Sequence, residues 1–411
     1  MASLSEGWYR RLVAVAVVLG LGAGAAALVY SAVTGFGTNI IFGDPSGEPW
    51  SGEWWWIPVV SGGAVLVAAM RRGWKVPKEV PTAVGFARQG WVDPSSALSL
   101  FVISSVSLFV GASLGPSFAI IVAGGGMGAW FANRVKAPDG EGRHEYALTG
   151  MASGLGAIFS APLFASIMAS ELSPTAKKDY VAAFIPQLIG ATVGYVVFFG
   201  ISGKVMLDSF AVPGYEYANV HLLYGVALGV LSVLVLLLQS LVGNALRRLV
   251  APVTNPLIRA AAAGAAVGAI AFALPLTATG GSSQLAYETS NMAGMSIGLL
   301  ALVLIGKMAA FTLSQEAGFL GGPVFPIIFI GGTAGILIHL IFPSIPAALA
   351  VAAMIASVPG AIIGAPVSFI LLGAGLVGVG ISGIAPVGIA VIAAHLAMSS
   401  FTLFKETRAS V

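Results

Sequence analysis

Cysteine is absent from this 411-residue chain, which excludes disulfides, thiolate metal sites and palmitoylation and leaves the redox compartment undetermined. Histidine is scarce, with 4 residues, and no His/Asp/Glu cluster has ligand spacing, so neither a metal nor another cofactor is expected. Charge is low as well: Asp, Glu, Lys and Arg together make up 9% of the residues. So few charges cannot cover the surface of a soluble protein of this length. What is present is apolar, with 57% hydrophobic residues and a mean hydropathy of +0.95. Runs at residues 12–33, 220–242 and 294–310 approach the ~20 apolar residues needed to cross a bilayer. The fold class expected is therefore an all-α polytopic membrane protein.

The net charge of +3 does not point to nucleic acid, because the basic residues lie in short clusters rather than along one face. They read instead as topology signals. Arg10 and Arg11 precede an apolar run too long for a signal-peptide core and lacking a cleavage site, which predicts an uncleaved first membrane helix with a cytoplasmic N-terminus. The next loop carries Asp44, Glu48 and Glu53 but no Lys or Arg, so it is expected outside. Trp50, Trp54, Trp55 and Trp56 mark an interfacial belt, and the chain is expected to return through about residues 57–70. Arg71, Arg72, Lys75 and Lys78 then form a cytoplasmic loop.

Beyond this point glycine and proline interrupt nearly every apolar segment, with 54 and 22 residues. Segments 97–111, 118–132, 146–158 and 163–169 are mostly too short to cross ~30 Å at about 1.5 Å per residue. Many glycines serve close helix packing, but one set does more, because it occurs twice. Gly115-Pro116-Ser117-Phe118 leads to Gly124, Gly125 and Gly128; 207 residues later Gly322-Pro323-Val324-Phe325 leads to Gly331, Gly332 and Gly335. After each copy comes Ala-Ser, then Gly-Ala-Ile and Ala-Pro: Ala152 to Pro162, and Ala356 to Pro366. Interrupted segments at matching places in two halves of a hydrophobic chain predict broken helices around a central substrate site. A helix N-terminus offers unpaired N–H donors and about half a positive charge, so two such ends can hold an anion without a buried cation. An isolated ion in low dielectric otherwise costs on the order of tens of kcal/mol.

The ordered set resembles the CLC superfamily of chloride channels and proton-coupled chloride antiporters. Residues 111–116 (Gly-Ala-Ser-Leu-Gly-Pro) are similar to its Gly-Lys/Arg-Glu-Gly-Pro segment, and residues 321–326 (Gly-Gly-Pro-Val-Phe-Pro) to its Gly-Gly-x-Phe-x-Pro segment. The form Ser113-Leu114-Gly115-Pro116 resembles a divergent bacterial branch. The resemblance implies two inverted-topology repeats with broken, tilted helices, at residues 1–217 and 218–411, with no cytoplasmic regulatory domain. It also implies a homodimer with one anion path per subunit, in contact with membrane lipid in a bacterial plasma membrane.

The departures from the family pattern carry the functional expectation. Leu114 stands where the family has its gating glutamate, and Leu172, after Glu171, where exchangers have their inner proton-carrying glutamate. Leucine cannot titrate, so a passive path for chloride, or for fluoride or nitrate, is expected rather than coupled antiport or enzymatic activity. Backbone N–H groups of Gly115, Ser117, Val324 and Phe325 are expected to face the anion; Pro323 has none. Leu114 is expected to act as an apolar constriction. Lys78, in Pro77-Lys78-Glu79-Val80-Pro81, falls where the family places a serine, as an inner anion attractor. Phe401 or Phe404 falls where a tyrosine would stand, Phe404 as a gate.

Three ionisable residues lie in or near apolar segments, where a charge costs about 2.5–3.5 kcal/mol on insertion scales. Glu288 is expected at an interface; Lys307 and Glu316 are expected either to pair with each other or to end helices, and Glu316 is a candidate proton group. Coupled antiport through Glu171 or Glu316 is the alternative function. A remote one is an intramembrane serine protease, because Ser202 and Ser382 lie in Gly-x-Ser-Gly patterns and need a histidine, His144, His221, His339 or His395, within reach.

Overall fold

The computed structural model describes residues 7–43, 51–77, 80–138, 140–173, 179–205 and 210–400. Among them the helices run α1 (Gly7–Phe42), α2 (Trp56–Gly73), α3 (Ala83–Gln89), α4 (Pro94–Phe109), α5 (Ser117–Arg134), α6 (Glu141–Phe159), α7 (Pro162–Leu172) and α8 (Tyr180–Ser202). The second series is α9 (His221–Val250), α10 (Pro256–Ala273), α11 (Ser282–Ser290), α12 (Ile297–Glu316), α13 (Val324–Ile341), α14 (Ala347–Ile363), α15 (Pro366–Val377) and α16 (Gly380–Ser400). Seven of these, α1, α8, α9, α10, α12, α13 and α16, are long and apolar enough to cross a membrane. The expected all-α membrane class is thus met.

The same local chemistry breaks the chain at the two copies of the Ala-Pro signature. α6 ends at Ser160 (φ +52°), a left-handed cap, and Pro162 opens α7. α14 ends at Gly364 (φ +82°), and Pro366 opens α15. A left-handed residue terminates a helix by turning its last carbonyls toward new partners, and proline at the first helical position lacks an N–H that would be orphaned anyway.

Packing sorts the chain into two compact units that interleave along the sequence. The first comprises Met1–Thr34, Trp74–Ser105 and Pro116–Leu207; the second comprises Gly35–Gly73, Val106–Gly115 and Asp208–Val411. The expected halves at 1–217 and 218–411 are a division by repeat, whereas residues 35–73 and 106–115 pack with the second unit.

In the first unit α6 lies against α5, α7 and α8. A Cβ added at Gly124 of α5 would come 2.1 Å from the Gly150 carbonyl oxygen of α6, so only glycine permits this approach. In the second unit the repeat-equivalent Gly331 of α13 stands in the same relation to α14, its added Cβ 2.5 Å from the Met354 carbonyl. α14 is buried along its whole length, as a helix apolar on every side should be, with α9, α13, α15 and α16 around it.

Candidate functional site

In the second unit the two Gly-Pro loops meet. After α4 the chain turns at Gly111 (φ +92°), and after α12 it turns at Gly318 (φ +84°). The loops then pair as a single antiparallel bridge: the Gly115 N–H donates to the Gly322 carbonyl and the Gly322 N–H to the Gly115 carbonyl, each at 2.7 Å. A side chain at Gly115 would meet Phe325 and the Gly322 carbonyl, at 2.9 and 3.2 Å, so the approach requires glycine.

Two serines lock the bridge reciprocally. Ser314 Oγ, in the last turns of α12, accepts from the Ser113 N–H at 2.9 Å. Ser107 Oγ, in the last turns of α4, accepts from the Leu320 N–H at 3.1 Å. Ser107 and Ser314 are separated by the same 207 residues as the glycines, as are Ser113 and Leu320. The site is thus held by a local two-fold arrangement of Ser-x3-Gly-x3-Gly-Pro, residues 107–116 and 314–323. Ser107 and Ser314 were not among the residues expected from sequence. Their signal, a serine eight positions before each Gly-Pro, was present but lies outside the recognised family segments.

Gly115 was expected to offer its N–H to an anion; here it donates that N–H to Gly322 instead, and its role is structural. Val324 and Phe325 open α13, whose ladder begins with the Ile327 N–H on the Pro323 carbonyl at 3.0 Å. Both are buried and stand ahead of that first rung, where helix N–H groups and the helix dipole suit negative charge. In the first unit, Ser117 opens α5 in the same manner, with the Ile120 N–H on the Pro116 carbonyl at 3.3 Å. Among the described residues the buried hydroxyls of Ser113 and Ser117 have no hydrogen-bond partner.

Leu114 is 1% exposed and packs between two glycines. A Cβ on Gly321 would lie 2.5 Å from the Leu114 Cβ, and one on Gly280 would lie 3.1 Å from the Leu114 carbonyl oxygen. Residues 111–115 and 318–325 carry no ionisable side chain. Arg71 brings a charge to the second loop: its Nη1 donates to the Gly318 carbonyl at 3.1 Å.

Several expectations for charged residues are corrected. Glu288 is not interfacial: it is fully buried, and Thr333 Oγ1 donates to its Oε2 at 2.6 Å. Lys307 does not pair with Glu316; it donates to the carbonyls of Thr277 and Thr279. Glu316 is held instead by Arg247 and Arg259. In the first unit Leu172 ends α7, 7% exposed, and nearby turns carry a buried polar chain. There Ser170 Oγ donates to Gln187 Oε1 (2.8 Å) and Gln187 Nε2 to Glu145 Oε2 (3.4 Å). Ser202 Oγ donates to the Phe198 carbonyl of its own helix, and the His221 imidazole is engaged by Tyr215 and Ala218. Neither arrangement is a serine–histidine pair. No group of three His, Cys, Asp or Glu among the described residues could hold a metal. Lys78, Phe401 and Phe404 lie outside the described residues.

A sequence profile described as "Voltage gated chloride channel" matches residues 59–399. This chain belongs to that family. The resemblance read from the paired Gly-Pro loops is therefore borne out, and the chain is a multi-pass integral membrane protein of the voltage gated chloride channel family. Among curated relatives, "Putative ion-transport protein YfeO" of Escherichia coli O7:K1 is 24% identical over 273 residues, 64% of this chain and 63% of the relative. The match thus spans less than two thirds of that relative's length. An uncharacterised protein of Methanocaldococcus jannaschii, MJ0305, is 29% identical over 198 residues, 46% of this chain and 47% of the relative. Two solved structures share the fold at 18% identity. A slow cyanobacterial Cl-/H+ antiporter superposes with TM-score 0.77 over 97% of this chain and 98% of its own. A CLC-type fluoride/proton antiporter superposes with TM-score 0.78 over 96% of each.

Proposed function

We propose that the protein conducts small anions passively, chloride or a related halide, through a path lined by the paired Gly-Pro loops. The observation that carries this reading is the absence of any ionisable side chain on the two loops, with buried Leu114 where the family resemblance places a gating glutamate. The N–H groups at the start of α13 supply the favourable field. Leu114 forms the constriction, and Arg71 raises the local anion concentration at the Gly318 turn. Assembly as a homodimer in a lipid bilayer, with one path per subunit and the N-terminus in the cytoplasm, belongs to the same reading, as does a bacterial plasma membrane. Lys78 as an inner attractor and Phe404 as a gate remain part of it.

The test is anion efflux from chloride-loaded proteoliposomes, with and without valinomycin, while external pH is followed. Efflux that requires the potassium shunt and moves no protons is the expected result. Proton movement driven by a chloride gradient would overturn passive conduction in favour of coupled antiport. One observation favours that second reading: Glu288 Oε1 is buried with no hydrogen-bond partner among the described residues, so a buried carboxyl is available outside the expected stations.

A further inference from the structure

Lys307 is fully buried in the middle of α12. Its Nζ donates to the carbonyls of Thr277 and Thr279, at 3.1 and 2.6 Å, and lies 5.0 Å from the centre of the Phe329 ring. A buried ammonium is tolerated only when its donors are satisfied and an opposite charge is near. The carbonyls and ring meet the first need, and the buried Glu288 side chain on α11 is the acidic group in its surroundings.

What Lys307 grips is a strained turn. Thr279 has φ +53° and Gly281 has φ +99°. A threonine with positive φ is costly because its branched Cβ crowds the backbone, and it persists only where surrounding contacts determine it. Both carbonyls that flank Ala278 point at the same ammonium, which is such a determinant. Gly281 abuts the Phe329 ring, within 2.9 Å of an added Cβ, and Gly280 abuts the Leu114 carbonyl. The chain of contact therefore runs from Lys307 through residues 277–280 to Leu114, all within the second unit.

We propose that Lys307 is a positioning residue that pins residues 277–281 against Leu114 and thereby sets the width of the apolar constriction. The consequence for anions rests on the proposed conduction path; the brace itself does not. Without the ammonium, two carbonyls in a dry interior lose their donor, the turn relaxes away from its positive φ, and the support behind Leu114 is withdrawn.

The absence of cysteine makes the test direct, since Leu114→Cys introduces the only thiol in the chain. The measurement is the rate at which a charged methanethiosulfonate reagent modifies that thiol in purified protein that elutes as the parent does. In the parent background the rate is expected to be slow. Adding Lys307→Met should raise it about tenfold or more, because the turn opens locally. Lys307→Arg, which keeps a donor for the carbonyls, should restore slow modification. Gly280→Ala should also raise the rate, by crowding the Leu114 carbonyl while Lys307 stays intact. It serves as the decisive variant if Lys307→Met does not fold. Unchanged rates in the folded variants overturn the brace.

A flux arm separates the two proposals. Lys307→Met should shift the nitrate-to-chloride flux ratio in the same direction as Leu114→Ala and add nothing in the Leu114→Ala background. An additive effect with unchanged thiol labelling means Lys307 acts through its charge, and overturns the positioning role. Labelling that responds as expected while no variant passes any anion leaves the brace standing and removes the conduction path.

Discussion

At position 114 the difference between leucine and glutamate is the difference between a fixed apolar wall and a charge that protons can switch. Leu114→Glu should therefore introduce pH dependence where none is expected in the parent. Above the carboxyl's pKa the ionised side chain competes with the anion for the N–H groups at the loop; below it the neutral form withdraws. Flux in the variant should be larger at about pH 4.5 than at about pH 7.5, and equal flux at both would place Leu114 away from the path. Glu316 has the opposite character, a carboxylate clamped by Arg247 and Arg259. Glu316→Gln should leave flux flat between about pH 5 and about pH 8. Stability should fall by about 1 kcal/mol or less, because both arginines are 36% exposed and water screens the pair. A pH dependence in the parent that this variant loses would restore Glu316 as a proton carrier. Individual residues were the least legible from sequence. Glu288 follows a polar Gly-Gly-Ser-Ser stretch that suggests a surface, yet its helix packs against α13 and buries it. Hydrogen bonds such as Ser107 to Leu320 join residues far apart in the chain, so no local pattern names the partner.

Elements were more legible, because glycine and proline act on their own neighbours. The breaks at Pro162 and Pro366, and the starts of α5 and α13 after Gly-Pro, fall where the repeated motifs place them. The expected return through residues 57–70 is α2, Trp56–Gly73. Segments read as shorter pieces extend by a turn or two, so that 118–132 becomes α5, Ser117–Arg134, and 146–158 becomes α6, Glu141–Phe159. Polar and basic residues hide these ends from an apolar window, while the backbone ladder continues through them. The glycine contacts between α5 and α6, and between α13 and α14, can be tested together. Gly124→Leu and Gly331→Leu each drive a side chain into a backbone carbonyl of the facing helix. Each should cost about 1–3 kcal/mol or more and lower Tm in detergent. A larger loss is expected at Gly124, where the approach is closer. Unchanged melting at both would mean the helix pairs have room that the contact distances deny.

For the whole chain, composition was enough to name an all-α membrane protein, and the spaced repeats were enough to find the loops that meet. Packing was not legible in the same way: residues 35–73 and 106–115 come early in the chain yet belong to the second compact unit. Hydropathy carries no record of which helix pairs with which. The positive-inside pattern yields a test at this scale. In the cysteine-free chain, Ser51→Cys should react with an impermeant thiol reagent from outside intact cells, and Lys75→Cys only after the cytoplasmic face is opened. Both residues are exposed, so burial does not protect either thiol. The reverse pattern would invert the proposed topology.

The bridge between Gly115 and Gly322 also has a history within each molecule's synthesis. A ribosome adding about 5–20 residues per second needs roughly 10–40 s to travel from the first glycine to the second. Throughout that interval the Gly115 N–H and carbonyl lack their 2.7 Å partners, in a segment bound for the bilayer, where an unmatched backbone group is costly. The first loop must wait in water or at the insertion machinery, and the paired loops are among the last parts of the protein to come into being.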